Sequence, residues 1–218
     1  MGYYHIELTP NSKKMCTIVL PWGKYEYQKL PMGLCNSPDI FQENMNQLFE
    51  GFDYVREYID DLLVTTNGSL DDHLEKLGTV LDKLQKAGLK VNAKKSNFCR
   101  SEVEYLGYLI TRNGIKPQPK KVEAIHNMAV PRTRKQLRSF LGLVNYYREI
   151  VLRKSDIAAP LTKLTSTKVP YKWTQEQETA FQKLKMAINR EPMLNYPEIS
   201  LKNLRFILMQ VTNNLVQS

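Results

Sequence analysis

Strand-like and helix-like runs alternate along this chain as far as Asn113-Gly114, and beyond that point the apolar stripes repeat at helical spacing down to about residue 189. A change of period at one place excludes a single all-α or all-β body, because a run that alternates and a run with the helical repeat bury different faces. The pattern predicts an α+β domain followed by helices alone, with the boundary after Asn113-Gly114. Before the boundary, Cys16 to Leu20 and Tyr25 to Leu30 are rich in β-branched and aromatic residues and flank Pro21-Trp22-Gly23-Lys24, which predicts a hairpin. Ser37-Pro38 offers an N-cap and a proline at the first helical position, so Phe41, Met45, Leu48 and Phe49 predict a helix over 38–50. Ser69 and Asp72 form a capping-box pattern, after which Leu70, Leu74, Leu77, Leu81 and Leu84 line one face of a long helix ending at Gly88. Strands are predicted at 89–92 and 103–111. Helices are predicted near 119–128, 134–151, 156–165 and 175–189, and a last strand from Arg205 to Val211.

Charge follows the same division. Residues 1–111 carry 12 Lys and Arg against 15 Asp and Glu, residues 112–168 carry 13 against 3, and residues 169–218 carry 6 against 4. Nearly all of the net +9 therefore sits in the middle segment. A solvated helix face is one account of such residues, but uncompensated cations packed so densely repel one another, and a polyanion lying against them removes that cost. Arg134, Lys135 and Arg138 fall in the first turn of a predicted helix, where they face the positive end of its dipole. External phosphate is a better motive for them than helix stability.

Composition narrows the classes further. With 218 residues, 42% of them hydrophobic, the chain can bury a core without staples. The three cysteines, Cys16, Cys35 and Cys99, are widely spaced and lack a C-x-x-C pair, so neither a disulfide framework nor a zinc finger is encoded. His5, His73 and His126 have no Cys or second His at ligand spacing. No apolar run is long enough to span a bilayer. The expectation is a soluble intracellular protein, in cytoplasm or nucleus, with no membrane partner.

The most unusual local feature is Asp60-Asp61, placed between Glu57-Tyr58-Ile59 and Leu62-Leu63-Val64. Tight hairpin loops favour Asn-Gly or Asp-Gly, since their central positions want positive φ. Adjacent carboxylates also repel, and each raises the other's pKa unless a cation compensates them. An exposed polar turn is one reading. The other is an oxygen site for Mg2+, which takes protein carboxylates together with water and substrate phosphates.

Tyr58-Ile59-Asp60-Asp61 resembles the Y-x-D-D box of reverse transcriptases, and Leu30-Pro31-Met32-Gly33-Leu34, Ser37-Pro38 and Phe41-Gln42 resemble the L-P-x-G-L box with its S-P-x-x-F-Q continuation that precedes it. Tyr105-Leu106-Gly107-Tyr108, Gly114-Ile115-Lys116-Pro117 and the run from Phe140 to Arg148 are similar to polymerases of gypsy-class long-terminal-repeat retroelements. Similarity runs from Gly2 to about Pro197. The resemblance implies a polymerase palm, an antiparallel sheet packed on helices with a remnant of the fingers, over 1–111. It also implies an all-helical thumb over 112–168 and a partial RNase-H-like or connection segment over 169–218.

The resemblance also assigns roles. Asp60 matches a ligand of the catalytic Mg2+ ions and Asp61 its neighbouring carboxylate. Tyr3 matches an aromatic gate against the ribose 2′-hydroxyl. Met32 and Gly33 match the segment beneath template and incoming nucleotide, Lys95 a lysine near the triphosphate, and Leu106, Gly107 and Tyr108 the primer grip. For Tyr3, Met32 and Tyr108 ordinary core packing is the alternative. The partners implied are an RNA/DNA template-primer, deoxynucleoside triphosphates and the rest of a retroelement polyprotein. By the same alignment a third catalytic carboxylate falls ahead of Met1, and after Glu198 there is no Asp or Glu to serve a ribonuclease. The expected activity is RNA-directed nucleotidyl transfer by two metal ions, dormant in this chain alone. The alternative is a non-catalytic relic that binds nucleic acid or protein.

Overall fold

The computed structural model describes residues 2–190, 194 and 205–212. They form two compact units, residues 2–103 with 205–212, and residues 104–190 with Leu194.

The first unit opens with a 3-10 turn (Gly2–His5) and a short helix α1 (Pro10–Met15), capped by Thr9, whose hydroxyl accepts from the Ser12 N–H at 3.3 Å. Strands β1 (Thr17–Leu20) and β2 (Gly23–Glu26) form the expected hairpin, in register from Thr17↔Glu26 to Leu20↔Gly23. Its second arm is shorter than the sequence pattern suggests, because the chain after Tyr27 is claimed by residues 6–8. The Leu8 N–H donates to the Gln28 carbonyl at 3.1 Å and the Leu30 N–H to the Ile6 carbonyl at 2.9 Å.

Helix α2 (Ser37–Leu48) buries Phe41 and Met45, with Phe49 just beyond its end. Ser37 is not its cap: Asn36 holds that position, and the fully buried Ser37 hydroxyl donates to the Pro31 carbonyl at 2.5 Å. The serine thus ties the Leu30-Pro31 turn to the helix instead of closing the helix on itself. Strands β3 (Val55–Tyr58) and β4 (Asp61–Thr66) pair antiparallel, Val55↔Val64 to Tyr58↔Asp61.

Helix α3 (Leu70–Lys86) is capped as expected, the Ser69 hydroxyl accepting from the Asp72 N–H at 3.1 Å. Its buried face differs from the leucine stripe. His73, Val80 and Leu84 are buried and Leu77 packs against the core, whereas Leu70, Leu74 and Leu81 are exposed. Leu77 and Leu84 belong to both stripes, so periodicity alone leaves two adjacent faces open. The choice is made by His73, whose Nδ1 lies 2.6 Å from the Thr66 hydroxyl and whose burial lowers its pKa, with Arg205 adding to the shift. A polar residue held in the core by such a partner is not registered by hydrophobicity, although His73 Nε2 meets no partner among the described residues. Strand β5 (Lys90–Val91), a 3-10 turn (Ala93–Lys95) and strand β6 (Asn97–Arg100) follow.

A three-stranded sheet ordered β7 (Glu102–Tyr105), β8 (Tyr108–Thr111), β9 (Gly114–Pro117) opens the second unit, β7 beginning two residues ahead of it. The single strand expected over 103–111 is in fact two, because Leu106 and Gly107 take φ of 45° and 73° and turn the chain back. Helices α4 (Pro119–His126), α5 (Arg134–Tyr146), α6 (Lys154–Leu164) and α7 (Gln175–Asn189) surround one apolar core. At its centre the Phe140 and Phe181 rings lie 4.6 Å apart. Residue 168 therefore does not separate cores: α7, assigned by sequence to the following segment, supplies Phe181, Leu184 and Ile188 to the helical unit.

Strand β10 (Arg205–Thr212), the predicted last strand, belongs to the first unit. It lies between β4 on one side, Arg205↔Thr66 to Gln210↔Asp61, and β5 and β6 on the other. Phe206, Ile207, Met209 and Val211 are fully buried. Buried apolar residues at successive positions, Phe206 and Ile207, are what a central strand covered on both faces requires. By sequence this strand falls to an RNase-H-like segment; in the structure it is part of the sheet that carries the acidic pair.

Candidate active site

The loop joining β3 to β4 consists of Ile59 and Asp60, with Asp61 already in the ladder opposite Tyr58. The two carboxylates therefore do not share the tip. Asp60 is in the turn and Asp61 is the first residue of a strand. Ile59 takes a φ of 50°, a left-handed conformation that costs a β-branched residue roughly 1–3 kcal/mol. Gln42 from α2 holds it there: its Oε1 accepts from the Ile59 N–H at 2.7 Å and its Nε2 donates to the Glu57 carbonyl at 3.2 Å. One side chain thus satisfies two backbone groups across the bend, which links the Phe41-Gln42 dipeptide physically to the acidic turn.

Phe41, the other half of that dipeptide, receives the N-terminal segment. The Tyr3 ring lies 5.4 Å from the Phe41 ring, and a Cβ on Gly2 would stand 2.1 Å from it. Glycine at this position is a matter of room. Burial raises the Tyr3 pKa, and the charge of Asp60 raises it further, so the Tyr3 phenol stands within the field of the acidic turn. Burial likewise raises the pKa of Asp61, opposed by a hydrogen bond from Gln210 and reinforced by Asp60.

On the far side of β10, the Gln210 carbonyl accepts from the Asn92 N–H at 2.8 Å, and the Gln210 N–H donates to the Ser96 hydroxyl at 3.3 Å. These residues bracket the turn that carries Lys95, itself exposed. Tyr3, Asp60, Asp61 and Lys95 are thus connected through Phe41, Gln42 and Gln210. Met32 and Gly33 lie exposed in the turn after Leu30-Pro31, Met32 at 45% of its surface. Sequence reasoning missed the roles of Gln42 and Gln210 at the acidic turn. The pairing of Gln210 with Asp61 spans 149 positions and leaves no local pattern.

The donor set suits a hard divalent cation. Asp60 Oδ1 and Gln210 Oε1 are screened from solvent and meet no hydrogen-bond donor among the described residues. An unpartnered acceptor beside two carboxylates is an oxygen-rich environment short of positive charge. The described residues contain no cluster of three His, Cys, Asp or Glu side chains at ligating distance.

In the second unit the Leu106-Gly107 turn is docked on the end of α5. The Leu106 carbonyl accepts from the Tyr146 hydroxyl, and the Gly107 carbonyl from the Tyr147 hydroxyl at 2.9 Å and from the Gln118 N–H at 3.2 Å. Tyr108 stacks on Tyr146 with ring centres 5.8 Å apart. A Cβ on Gly107 would meet the Tyr146 hydroxyl at 2.6 Å and Lys121 Nζ at 2.7 Å, in addition to the left-handed φ. Tyr105-Leu106-Gly107-Tyr108 and Tyr146-Tyr147 are one contact.

Arg134 and Arg138 have internal partners. Arg138 donates to the Thr165 carbonyl at 2.6 Å, and Arg134 to the Ser166 carbonyl at 3.1 Å and to the Val169 carbonyl. The cations that burden the start of α5 thus meet carbonyls at the end of α6 and beyond, where the helix dipole favours them. Each guanidinium keeps further N–H donors. Lys135 is exposed, and Arg138, Lys154 and Lys163 line an open groove of about 730 Å3 between α5 and α6. Cys16, Cys35 and Cys99 are free thiols, and no described helix is long and apolar enough to cross a membrane.

Comparison with known proteins agrees with this arrangement. A sequence model of the family described as "Reverse transcriptase (RNA-dependent DNA polymerase)" matches residues 1–110. The retrovirus-related Pol polyprotein from transposon 297 of Drosophila melanogaster is 36% identical over 98% of this chain and 20% of its own length. That from transposon gypsy of the same organism is 33% identical over 90% of this chain and 20% of its own length. The chain thus spans about a fifth of the length of these relatives. Among solved structures, the foamy viral protease-reverse transcriptase in complex with an RNA/DNA hybrid superposes with a TM-score of 0.79 at 30% identity, over 89% of this chain and 27% of that one. An acidic turn clamped by Gln42, on a sheet that superposes on a solved polymerase, with retrotransposon Pol sequences aligned along nearly the whole length, places the chain in the reverse transcriptase family, as a domain of the retrotransposon polyprotein kind.

Proposed function

We propose that this domain serves RNA-directed nucleotidyl transfer, with Asp60 and Asp61 holding Mg2+. The observation that carries the reading is the Gln42-clamped turn with its two half-buried carboxylates, where Asp60 Oδ1 and Gln210 Oε1 are screened from solvent and meet no donor among the described residues. In the reaction the primer 3′-oxygen bonds to the α-phosphorus of a deoxynucleoside triphosphate, its proton passes to water, and the bond to pyrophosphate breaks. Bound Mg2+ would supply charge stabilisation for the attacking and leaving oxygens. Tyr3 lines the approach to Asp60, Met32 and Gly33 support template and nucleotide, Lys95 faces the triphosphate, and the Leu106–Tyr108 turn steadies the primer. A template-primer, which the foamy viral relative binds as an RNA/DNA hybrid, is the partner for which the basic residues of α5 and α6 are suited. Deoxynucleoside triphosphates and the remainder of a Pol polyprotein complete the set.

The chain by itself is proposed to be dormant. The residue opposite Asp61 in the sheet is Gln210, an amide where another carboxylate would strengthen the hold on metal. Primer extension on an RNA template with Mg2+ is expected to stay at background. Incorporation that Asp60→Ala abolishes would overturn dormancy, and Mn2+ binding undiminished in an Asp60→Asn/Asp61→Asn variant would overturn the site itself.

For the helical unit, exchanging Arg134, Lys135 and Arg138 for Gln is expected to lower affinity for all duplex sequences alike. The slope of log K against log salt on duplex DNA should fall by about 0.9 for each phosphate that the variant no longer neutralises. Filter binding at several salt concentrations measures this, and a weakening confined to some base sequences would contradict it.

A further inference from the structure

We propose that Gln210 is a positioning residue of the acidic site: strand β10 presents its amide to the Asp61 carboxylate and holds that carboxylate in one orientation toward the cation. The proposal rests on the reading of Asp60 and Asp61 as a cation site. Gln210 is the cross-strand partner of Asp61, and the next residue, Val211, donates its N–H to the Asp60 carbonyl at 2.8 Å. On the opposite edge of β10 the Asn92 and Ser96 bonds hold the Gln210 peptide from behind. The backbone of the residue is therefore fixed on both edges of a central strand, which sets the point from which its side chain reaches Asp61.

The side chain is out of keeping with its strand. Phe206, Ile207, Met209 and Val211 are apolar and fully buried, so a half-buried amide among them carries a desolvation cost of about 1–3 kcal/mol unless it is partnered. The partner is Asp61: Gln210 Nε2 donates to Asp61 Oδ1 at 3.5 Å, a long bond that a small shift would shorten. Oε1, which has no donor among the described residues, is left beside the pair as a further acceptor. Side chains that orient a metal's direct ligands in this way are worth a factor on the order of 10–100 in metal affinity. A residue 149 positions downstream of Asp61 thus becomes part of its site, and the unit that carries the chemistry is discontinuous in sequence.

The test uses the full chain and Mn2+ as probe, with free Mn2+ followed by electron paramagnetic resonance for wild type, Asp60→Asn, Gln210→Met and Gln210→Glu. Met keeps the length of the side chain and its packing on the strand, while removing donor and acceptor. Gln210→Met is expected to bind Mn2+ on the order of 10–100-fold more weakly. It should also speed amide hydrogen exchange at residues 59–61 in the metal-free protein, with exchange in α3 unchanged. Gln210→Glu, which sets a third carboxylate beside the pair, is expected to bind Mn2+ more tightly than wild type. Wild-type affinity in both Gln210 variants, with Asp60→Asn losing Mn2+, would overturn the role of Gln210 and leave the cation site standing. Absence of Mn2+ binding by the wild type would overturn the cation site and this proposal with it.

Discussion

Ile207→Asp is expected to abolish the cooperative unfolding transition of the first unit and to leave the helical unit folded. Ile207 is fully buried, pairs with the equally buried Val64 on β4, and sits on a strand with neighbours on both edges. A carboxylate there has no cation or donor supplied for it, and an unpaired charge in such a place costs more than about 4–5 kcal/mol, a large share of what a domain of this size has in hand. The sheet has no fallback: without β10, the β3–β4 hairpin and the β5 and β6 strands are no longer joined. Hydrogen exchange read by segment checks this. Amides of β4 and β6 should lose protection and those of α5 and α7 keep it. A variant whose β4 amides remain protected would show that residues 205–212 are dispensable to the first unit.

The second large effect is expected at Tyr147. Its side chain is 1% exposed, its ring packs edge-on against Tyr108 at 5.4 Å and Tyr146 at 5.1 Å, and its hydroxyl supports the Gly107 carbonyl. Tyr147→Ala removes a whole ring from the apolar core of the helical unit, and should destabilise that unit by about 3–5 kcal/mol. Tyr147→Phe removes only the hydroxyl, and because the Gln118 N–H still serves Gly107, the loss should be about 0.5–1.5 kcal/mol. Chemical denaturation followed by far-ultraviolet circular dichroism separates the two.

The phenol also gives a pH signature. Burial, with Tyr146 and Tyr108 adding to it, pushes the Tyr147 pKa from 10.0 up to about 12. The neutral form is favoured in the fold, so its contribution is complete below pH 10.0 and is lost as pH rises toward about 12. Thermal midpoints should fall more steeply over that window in wild type than in Tyr147→Phe. Equal slopes would contradict the assignment.

Much of this is legible in local pattern. The boundaries of α7, the cap at Ser69, the hairpin before residue 31 and the strand at 205 are each signalled by residues adjacent in sequence. Where pattern and structure part, the reasons are definite. The leucine stripe of α3 points to a face rotated from the buried one, since a histidine in the core looks polar until Thr66 is placed against it. Ser37 reads as a cap because serine before Pro38 fits that motif, but its hydroxyl is used by Pro31. The strand expected over 103–111 is bent at Leu106-Gly107, where alternation continues on either side of a two-residue turn and conceals it.

The acidic turn shows the same division at closer range. Its residue types and their flanking strands announce a hairpin with two carboxylates, because short-range sterics and alternation act between neighbours along the chain. The different surroundings of Asp60 and Asp61, the clamp by Gln42 and the arrival of Gln210 come from segments that meet only when the sheet closes. Helices, turns and the family can be read from the order of residues because their causes are local or are carried in motifs. Which strand completes the sheet, and what touches the carboxylates, depends on burial shared between distant segments, and no short stretch of sequence contains that information.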